Sequence, residues 1–191
     1  TLIDGVDYHE SQGIYEYDRD KAVELLTEAG YAAGDISLRL IAPATPVNQS
    51  LSEIFQAYMA DIGIDIGVEI YDFATAIPML KNKEAEICTG SLNGGVADAA
   101  NNYKTHGSDS TNAANASSDE TLNEYLAAGK STTDPAARAA AYEAVQKWDY
   151  ENFRWLPICY PMSCLAYSEK IESVPTYIYS APYVKYVTFS D

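Results

Sequence analysis

A chain of 191 residues with 47% hydrophobic content is long enough for one domain with a real core, in which about 70% of the unfolded surface becomes buried. The net charge of −16, with only 12 lysines and arginines, excludes the clustered cations that nucleic acid requires and disfavours an anionic membrane surface. No apolar run approaches the roughly 18 residues of a membrane span, so nothing here inserts directly into a bilayer.

Taken in chain order, the first strong signal is Asp18, a good helix N-cap. Ala22, Leu25, Leu26 and Ala29 then fall on one helical face, and Gly30 supplies the stop. Residues 36–41 alternate apolar side chains with Ser37 and Arg39, as in a strand with one wet face. Pro43 and Pro46 punctuate a loop. A helix is predicted from about Gln49 to Ile62, with Leu51, Ile54, Phe55, Tyr58, Met59 and Ile62 at helical spacing and Gly63 as its end. Ile64, Ile66, Val68 and Ile70 alternate with Asp65, Gly67 and Glu69, the clearest strand in the chain.

Asp72 can cap a short helix reaching toward Lys83, but Pro78 would fall inside it. That helix either starts late, with Pro78 in its first turn, or is kinked. Residues 86–89 read as a short strand. The stretch 90–118 is poor in apolar residues and rich in Asn, Ala, Ser and Gly, and a loop of that length inside a compact domain is a candidate functional segment. Ser117 and Glu120 have the spacing of a capping box. Asp134-Pro135 is a strong start signal for a helix carrying Ala141, Tyr142, Val145 and Trp148 and running to about Asn152. Residues 156–167 are strand-like, with Pro157 and Pro161 suited to an edge or a crossover. Strands alternating with helices define the fold class as α/β.

Signals for catalysis and metals are thin. His9 and His106 are the only histidines, and neither belongs to a His-Glu-x-x-His or Gly-x-Ser-x-Gly motif. Both read as solvated. Residues 109–120 are oxygen-rich but lack calcium-loop spacing, so no metal and no cofactor is expected. Cys88, Cys159 and Cys164 read as buried free thiols. Cys159 and Cys164 lie five apart and would face opposite sides of a continuous strand. A bridge from Cys88 stays open if segments 86–91 and 156–167 are neighbours. The 16 tyrosines serve core and interface packing, or line a ligand wall with Phe73, Tyr103 and Tyr160 as candidates.

Glycines at the carboxyl end of a buried strand let a ligand approach backbone N–H groups. Residues Gly90-Ser91-Leu92-Asn93-Gly94-Gly95 have that placement.

No single piece is specific, but the series Tyr17-Asp18-Arg19-Asp20, Ala29-Gly30-Tyr31, the strand 36–41, Phe55-Gln56-Ala57-Tyr58, the strand ending Tyr71-Asp72-Phe73, Thr133-Asp134-Pro135 and Leu156-Pro157-Ile158 keeps its order and spacing nearly end to end. It resembles the C-terminal lobe of the extracellular solute-binding proteins of ABC importers, in the oligopeptide/dipeptide/nickel-binding class, over roughly residues 15–190. The resemblance implies one lobe of a type II periplasmic-binding-protein-like fold, a mixed sheet flanked by helices. It implies a single lobe over 1–191, with its core at 17–171 and crossing segments at 1–16 and 172–191 toward a first lobe. It also implies an extracytoplasmic protein, a cell-surface lipoprotein or a periplasmic one. Its partners would be a small solute or peptide ligand, the N-terminal lobe of the same protein, and an ABC permease. Thr1 to Gly5 lack the basic and apolar regions of a signal peptide, which in a domain cut from a longer precursor carries no message about export.

In the resembled family the loop after residue 90 faces the interlobe cleft, and this makes Gly90, Ser91, Leu92, Asn93, Gly94, Asp98 and Asn101 ligand-binding candidates, with Gln49 on a second segment. The departures are informative. Ser91 stands where the family carries tryptophan, and Asn93-Gly94 where peptide binders carry the aspartate for the ligand amine. Gln49 lies where dipeptide binders place an arginine for the ligand carboxylate. An amine–carboxylate hydrogen bond contributes about 1.5–3 kcal/mol, so the loss matters. The reading is a non-enzymatic substrate-binding lobe. Alternatives are a cell-surface sensor or interaction module of this fold and, more remotely, a small hydrolase using Ser91 or a cysteine.

Overall fold

The computed structural model describes residues 16–90, 99–103, 106–108, 117–154, 156, 158, 164–175 and 183–189. Helix α1 (Arg19–Glu28) starts on Asp18, whose Oδ1 accepts from the Lys21 N–H at 2.8 Å. It ends in a Schellman motif: Gly30 has φ +89°, its N–H donates to Thr27 O, and the Tyr31 N–H donates to Leu26 O. The apolar face expected of α1 is only lightly covered. None of its residues is fully buried, and Val23 and Leu25 are exposed.

Strand β1 (Ile36–Pro43), helix α2 (Pro46–Asp61), strand β2 (Ile64–Tyr71), helix α3 (Phe73–Lys81) and strand β3 (Ile87–Cys88) follow as a βαβαβ unit. The sheet order is β2-β1-β3 and each pairing is parallel, with Ile36 opposite Ile64, Pro43 opposite Tyr71, and Ile41 opposite Cys88. Leu40, Ile41, Ala42 and Pro43 are all buried, so the second half of β1 is covered on both faces and not on one as the alternation suggested. A central parallel strand has this pattern because crossover helices lie on both sides of it. Leu40, Ala42 and Ile66 form the aliphatic core, with Phe55 and Met59 of α2 packed on them. Burying such side chains contributes roughly 1.5–3 kcal/mol each.

Helix α2 starts three residues before the expected Gln49. Thr45 is the N-cap, accepting from the Asn48 N–H, and Pro46 occupies the first turn instead of a loop. Its buried face also differs from the expected apolar stripe: Asn48 and Ser52 are buried, whereas Ile54 and Tyr58 are exposed. Gly63 has φ +84°, and a Cβ there would meet Ala33 at 2.7 Å, so glycine is required by both conformation and space. In α3, Asp72 is the N-cap and Pro78 lies in the interior, so the helix does not start late.

The second half is helical. Short helix α4 (Ala99–Asn102) lies within the stretch that read as loop. Helix α5 (Glu120–Ser131) is capped by Asp119, not by the predicted Ser117, and α6 (Pro135–Asn152) is capped by Asp134 as expected. Ala99, Tyr103, Leu122, Leu126, Tyr142 and Val145 make a second core. A small antiparallel pair, β4 (Ile171–Ser173) with β5 (Thr188–Phe189), completes the described chain. Parallel and antiparallel pairing therefore both occur, in separate sheets. In the segment 156–167, the described residues 156, 158 and 164–167 carry no strand, which corrects the expectation for them.

Candidate functional site

Parallel strands deliver their following loops to one edge, and here that edge collects the candidates from three distant segments. After β1, residues 44–45 lead into the first turn of α2, which carries Gln49. After β2, Asp72 alone separates the strand from Phe73, the first residue of α3. After β3 come Thr89 and Gly90. Gln49 and Gly90 are exposed, and Phe73 is 70% exposed, so its ring is available to a ligand. Of Asn101 only the backbone is described, in α4. Ser91, Leu92, Asn93, Gly94, Asp98 and Tyr160 lie outside the described residues. Tyr103 is placed differently from the others: its ring is 1% exposed inside the helical core, stacked 5.6 Å from Tyr142.

The edge is stiffened by contacts that the sequence did not advertise. The Ser52 and Thr89 hydroxyls lie 3.0 Å apart, joining α2 to the end of β3. Asn48 Nδ2 donates to Pro43 O at 3.2 Å. Gln49 Nε2 donates to Glu53 Oε1 at 3.0 Å. Asp72 accepts from the Thr75 N–H at 3.1 Å and the Thr75 hydroxyl at 2.7 Å, and these bonds hold its carboxyl below the ordinary value. Thr45-Pro46 is the one signal that would have located the α2 start from sequence.

Below that edge, Arg39 ties the sheet together. Its Nε and Nη2 donate to the two oxygens of Glu69 at 2.7 and 2.8 Å, and its Nη1 donates to Glu84 O at 2.7 Å. The Arg39 N–H also donates to Glu86 Oε2 at 2.9 Å. Tyr71 donates its hydroxyl to Glu69 Oε2 at 2.5 Å. The Arg39 bonds, then that from Tyr71, bring the Glu69 carboxyl down from 4.5 to about 2. The same Glu69 contact raises both Arg39 and the Tyr71 phenol.

His106, expected to be solvated, is 4% exposed. Its Nε2 lies 3.4 Å from Asp149 Oδ2, and its ring meets Tyr103 edge-on with centroids 5.0 Å apart. The Ser117 N–H donates to the His106 carbonyl at 2.8 Å. Cys88 and Cys164 are free but exposed, which corrects the buried placement expected for them; Cys159 lies outside the described residues. No group of three or more metal-ligating side chains occurs among the described residues.

A βαβαβ unit whose parallel strands all end at one carboxyl edge, with α2 and α3 packed on the sheet, has the form of a ligand-binding α/β lobe. The chain belongs to the bacterial extracellular solute-binding proteins, family 5: the family model described as "Bacterial extracellular solute-binding proteins, family 5 Middle" matches residues 3–114. Di/tripeptide-binding protein 2 of Pseudomonas aeruginosa (strain UCBPP-PA14) is 24% identical over an alignment of 173 residues that covers 81% of this chain and 30% of that protein. The dipeptide binding protein of Pseudoalteromonas sp. SM9913, solved with Met-Leu, superposes with a TM-score of 0.77 at 20% identity, over 91% of this chain and 36% of that one. DppA of Helicobacter pylori, solved with the peptide STSA, gives 0.64 at 27% identity, over 75% and 29%. The chain therefore spans about a third of the length of these relatives. These relatives are binding proteins by name. The family is extracellular by description, which places the chain outside the cytoplasm. No helix among the described residues is long and apolar enough to cross a membrane.

Proposed function

We propose that this chain is the C-terminal ligand-binding lobe of a two-lobed solute-binding protein that captures a peptide or other small solute and delivers it to an ABC permease. The core of the lobe is 17–171, and segments 1–16 and 172–191 cross toward the N-terminal lobe of the same protein. The supporting observation is the meeting of Gln49, Phe73 and Gly90 at one carboxyl edge of a parallel sheet. The loop that begins at Gly90, with Ser91, Leu92, Asn93, Gly94, Asp98 and Asn101, leaves from that same edge. Tyr160 is a further candidate.

In this reading no bond is made or broken. Ligand contacts from both lobes are realised together only in a closed form, so ligand shifts the population toward closure. The test is a thermal-shift screen of the full-length protein against peptides, sugars and metal chelates. A ligand at 100 times its dissociation constant adds about 2.7 kcal/mol. A clear shift with one chemical class supports the reading and names the solute class. Absence of any shift on folded, ligand-free protein overturns it.

A further inference from the structure

The amino edge of the sheet carries an apolar hollow. Val23 and Leu26 of α1, Tyr31, Ile36 at the start of β1, and Ile62 and Ile64 at the start of β2 line about 70 Å³ of open space. That volume suits one aliphatic side chain and falls well short of the roughly 300–1,000 Å³ of a small-molecule pocket. The floor is set in advance. The Gly34 N–H donates to Gly63 O at 2.8 Å, joining the turns that enter β1 and β2, and the Ala32 N–H donates to Asp35 Oδ2 at 2.8 Å. The wall formed by α1 is thinly supported: none of its residues is fully buried, and Val23 remains 37% exposed. A helix of 10 residues is too short to persist on propensity alone, so cover on this face is what it lacks.

The charge around the hollow has one sign. No lysine or arginine occurs between Ala22 and Leu38, or between Leu40 and Leu80, and every lining residue lies in those stretches. Exposed Glu24, Glu28, Asp35, Asp61 and Asp65 each stand next in sequence to a lining residue. Arg19 and Lys21, at the far end of α1, are bound to Asp20 and Glu24. An acidic rim repels nucleic acid and an anionic membrane. A second copy of a chain with net charge −16 gains no attraction from it either. The complementary occupant is a protein segment that presents an aliphatic side chain between lysines or arginines.

We propose that this amino edge docks a second protein through such a basic, aliphatic-bearing segment. The 8 residues of β1 separate it from the carboxyl edge, about 25 Å at roughly 3.3 Å per residue, so docking here is independent of solute capture. The test uses the full-length protein at neutral pH and three labelled, end-blocked peptide helices. One is built of lysine, leucine and alanine; in the controls, each leucine becomes serine or each lysine becomes glutamate. Fluorescence anisotropy is expected to show the lysine–leucine helix binding at least roughly tenfold tighter than either control, a factor that one buried aliphatic side chain supplies. Ala32→Phe, which brings a ring to the hollow, and Glu28→Lys with Asp61→Lys, which reverses the rim, are expected to remove that advantage. The same charge change at exposed Glu124 and Glu143, on the helical half, is expected to leave it in place. Hydrogen exchange should slow in α1 and residues 31–36 of the bound protein. Equal binding of the controls, an equal loss from the Glu124 and Glu143 pair, protection confined to other segments, or no binding to folded protein each overturns the proposal. Dimerisation of the protein that Ala32→Phe abolishes gives the face to a second copy and overturns it too.

Discussion

The sheet half, β1 to β3, and the helical half, α4 to α6, solve the same packing problem with different chemistry. The first buries aliphatic chains, Leu40, Ala42 and Ile66, and keeps its strongest ion pair at the surface, where Arg39 and Glu69 side chains are each 36% exposed. The second buries rings and a charge-capable pair: Tyr103 on Tyr142, with His106 against Asp149 at 4% exposure each. Its core leaves the Tyr142 hydroxyl and Asp149 Oδ1 buried without hydrogen-bond partners among the described residues, at a cost of about 1–3 kcal/mol per group. The difference teaches that an aliphatic core stabilises by burial alone, whereas a polar aromatic core spends part of its burial on desolvation.

The sharpest way to break this comparison is truncation in each half. Leu40→Ala and Tyr142→Ala should each lower unfolding free energy by about 3–5 kcal/mol in urea titrations. Hydrogen exchange should then accelerate in β1–β3 for the first and in α5–α6 for the second. Uniform acceleration in both would erase the distinction between the halves. Next in size is Gly129→Ala: a Cβ there would lie 2.7 Å from the Tyr142 ring, and overpacking of this kind costs about 1–3 kcal/mol. Unchanged stability would show that the tyrosine stack has room to shift. Asp134→Ala removes the cap of α6 and should cost about 1 kcal/mol, measured by thermal melting at neutral pH.

The smallest effect is a pH signature confined to the sheet half. Glu69 ionises more readily in the fold, at about 2 against an ordinary 4.5. The folded state therefore gains stability that is fully present above the ordinary carboxylate value and is lost as pH falls toward about 2. Glu69→Gln should flatten this part of the melting-temperature profile between roughly pH 5 and 2. Parallel profiles for the two proteins would show that the Arg39 pair carries no pH-dependent stability.

The two halves also differ in how far they could be read from sequence. Period-two alternation from Ile64 to Ile70 and the caps Asp18, Asp72 and Asp134 act locally, so β2, α1, α3 and α6 were visible as one-dimensional patterns. Burial of both faces of β1 was not, because it depends on helices that arrive later in the chain. Ser117 read as a cap, but its hydroxyl accepts from the Asp119 N–H and leaves the capping to Asp119. His106 looked solvated because its neighbours in sequence are polar, and the residue that covers it is Asp149, on another helix. Of the candidate site, Gln49, Phe73 and Gly90 were legible and do meet at one edge, whereas Tyr103 belongs to a core that only the fold assembles.

The hydroxyl contact between Ser52 and Thr89 has a consequence for the entropy of capture. It fastens the last described turn before the glycine-rich segment to a helix that is itself packed on the central strand. Under the proposed function, a solute held at this edge would meet a strand end that the fold has already fixed at Thr89, which lowers the entropic cost of holding it. A short tether of this kind keeps the end of β3 in register with the scaffold through a single hydroxyl contact.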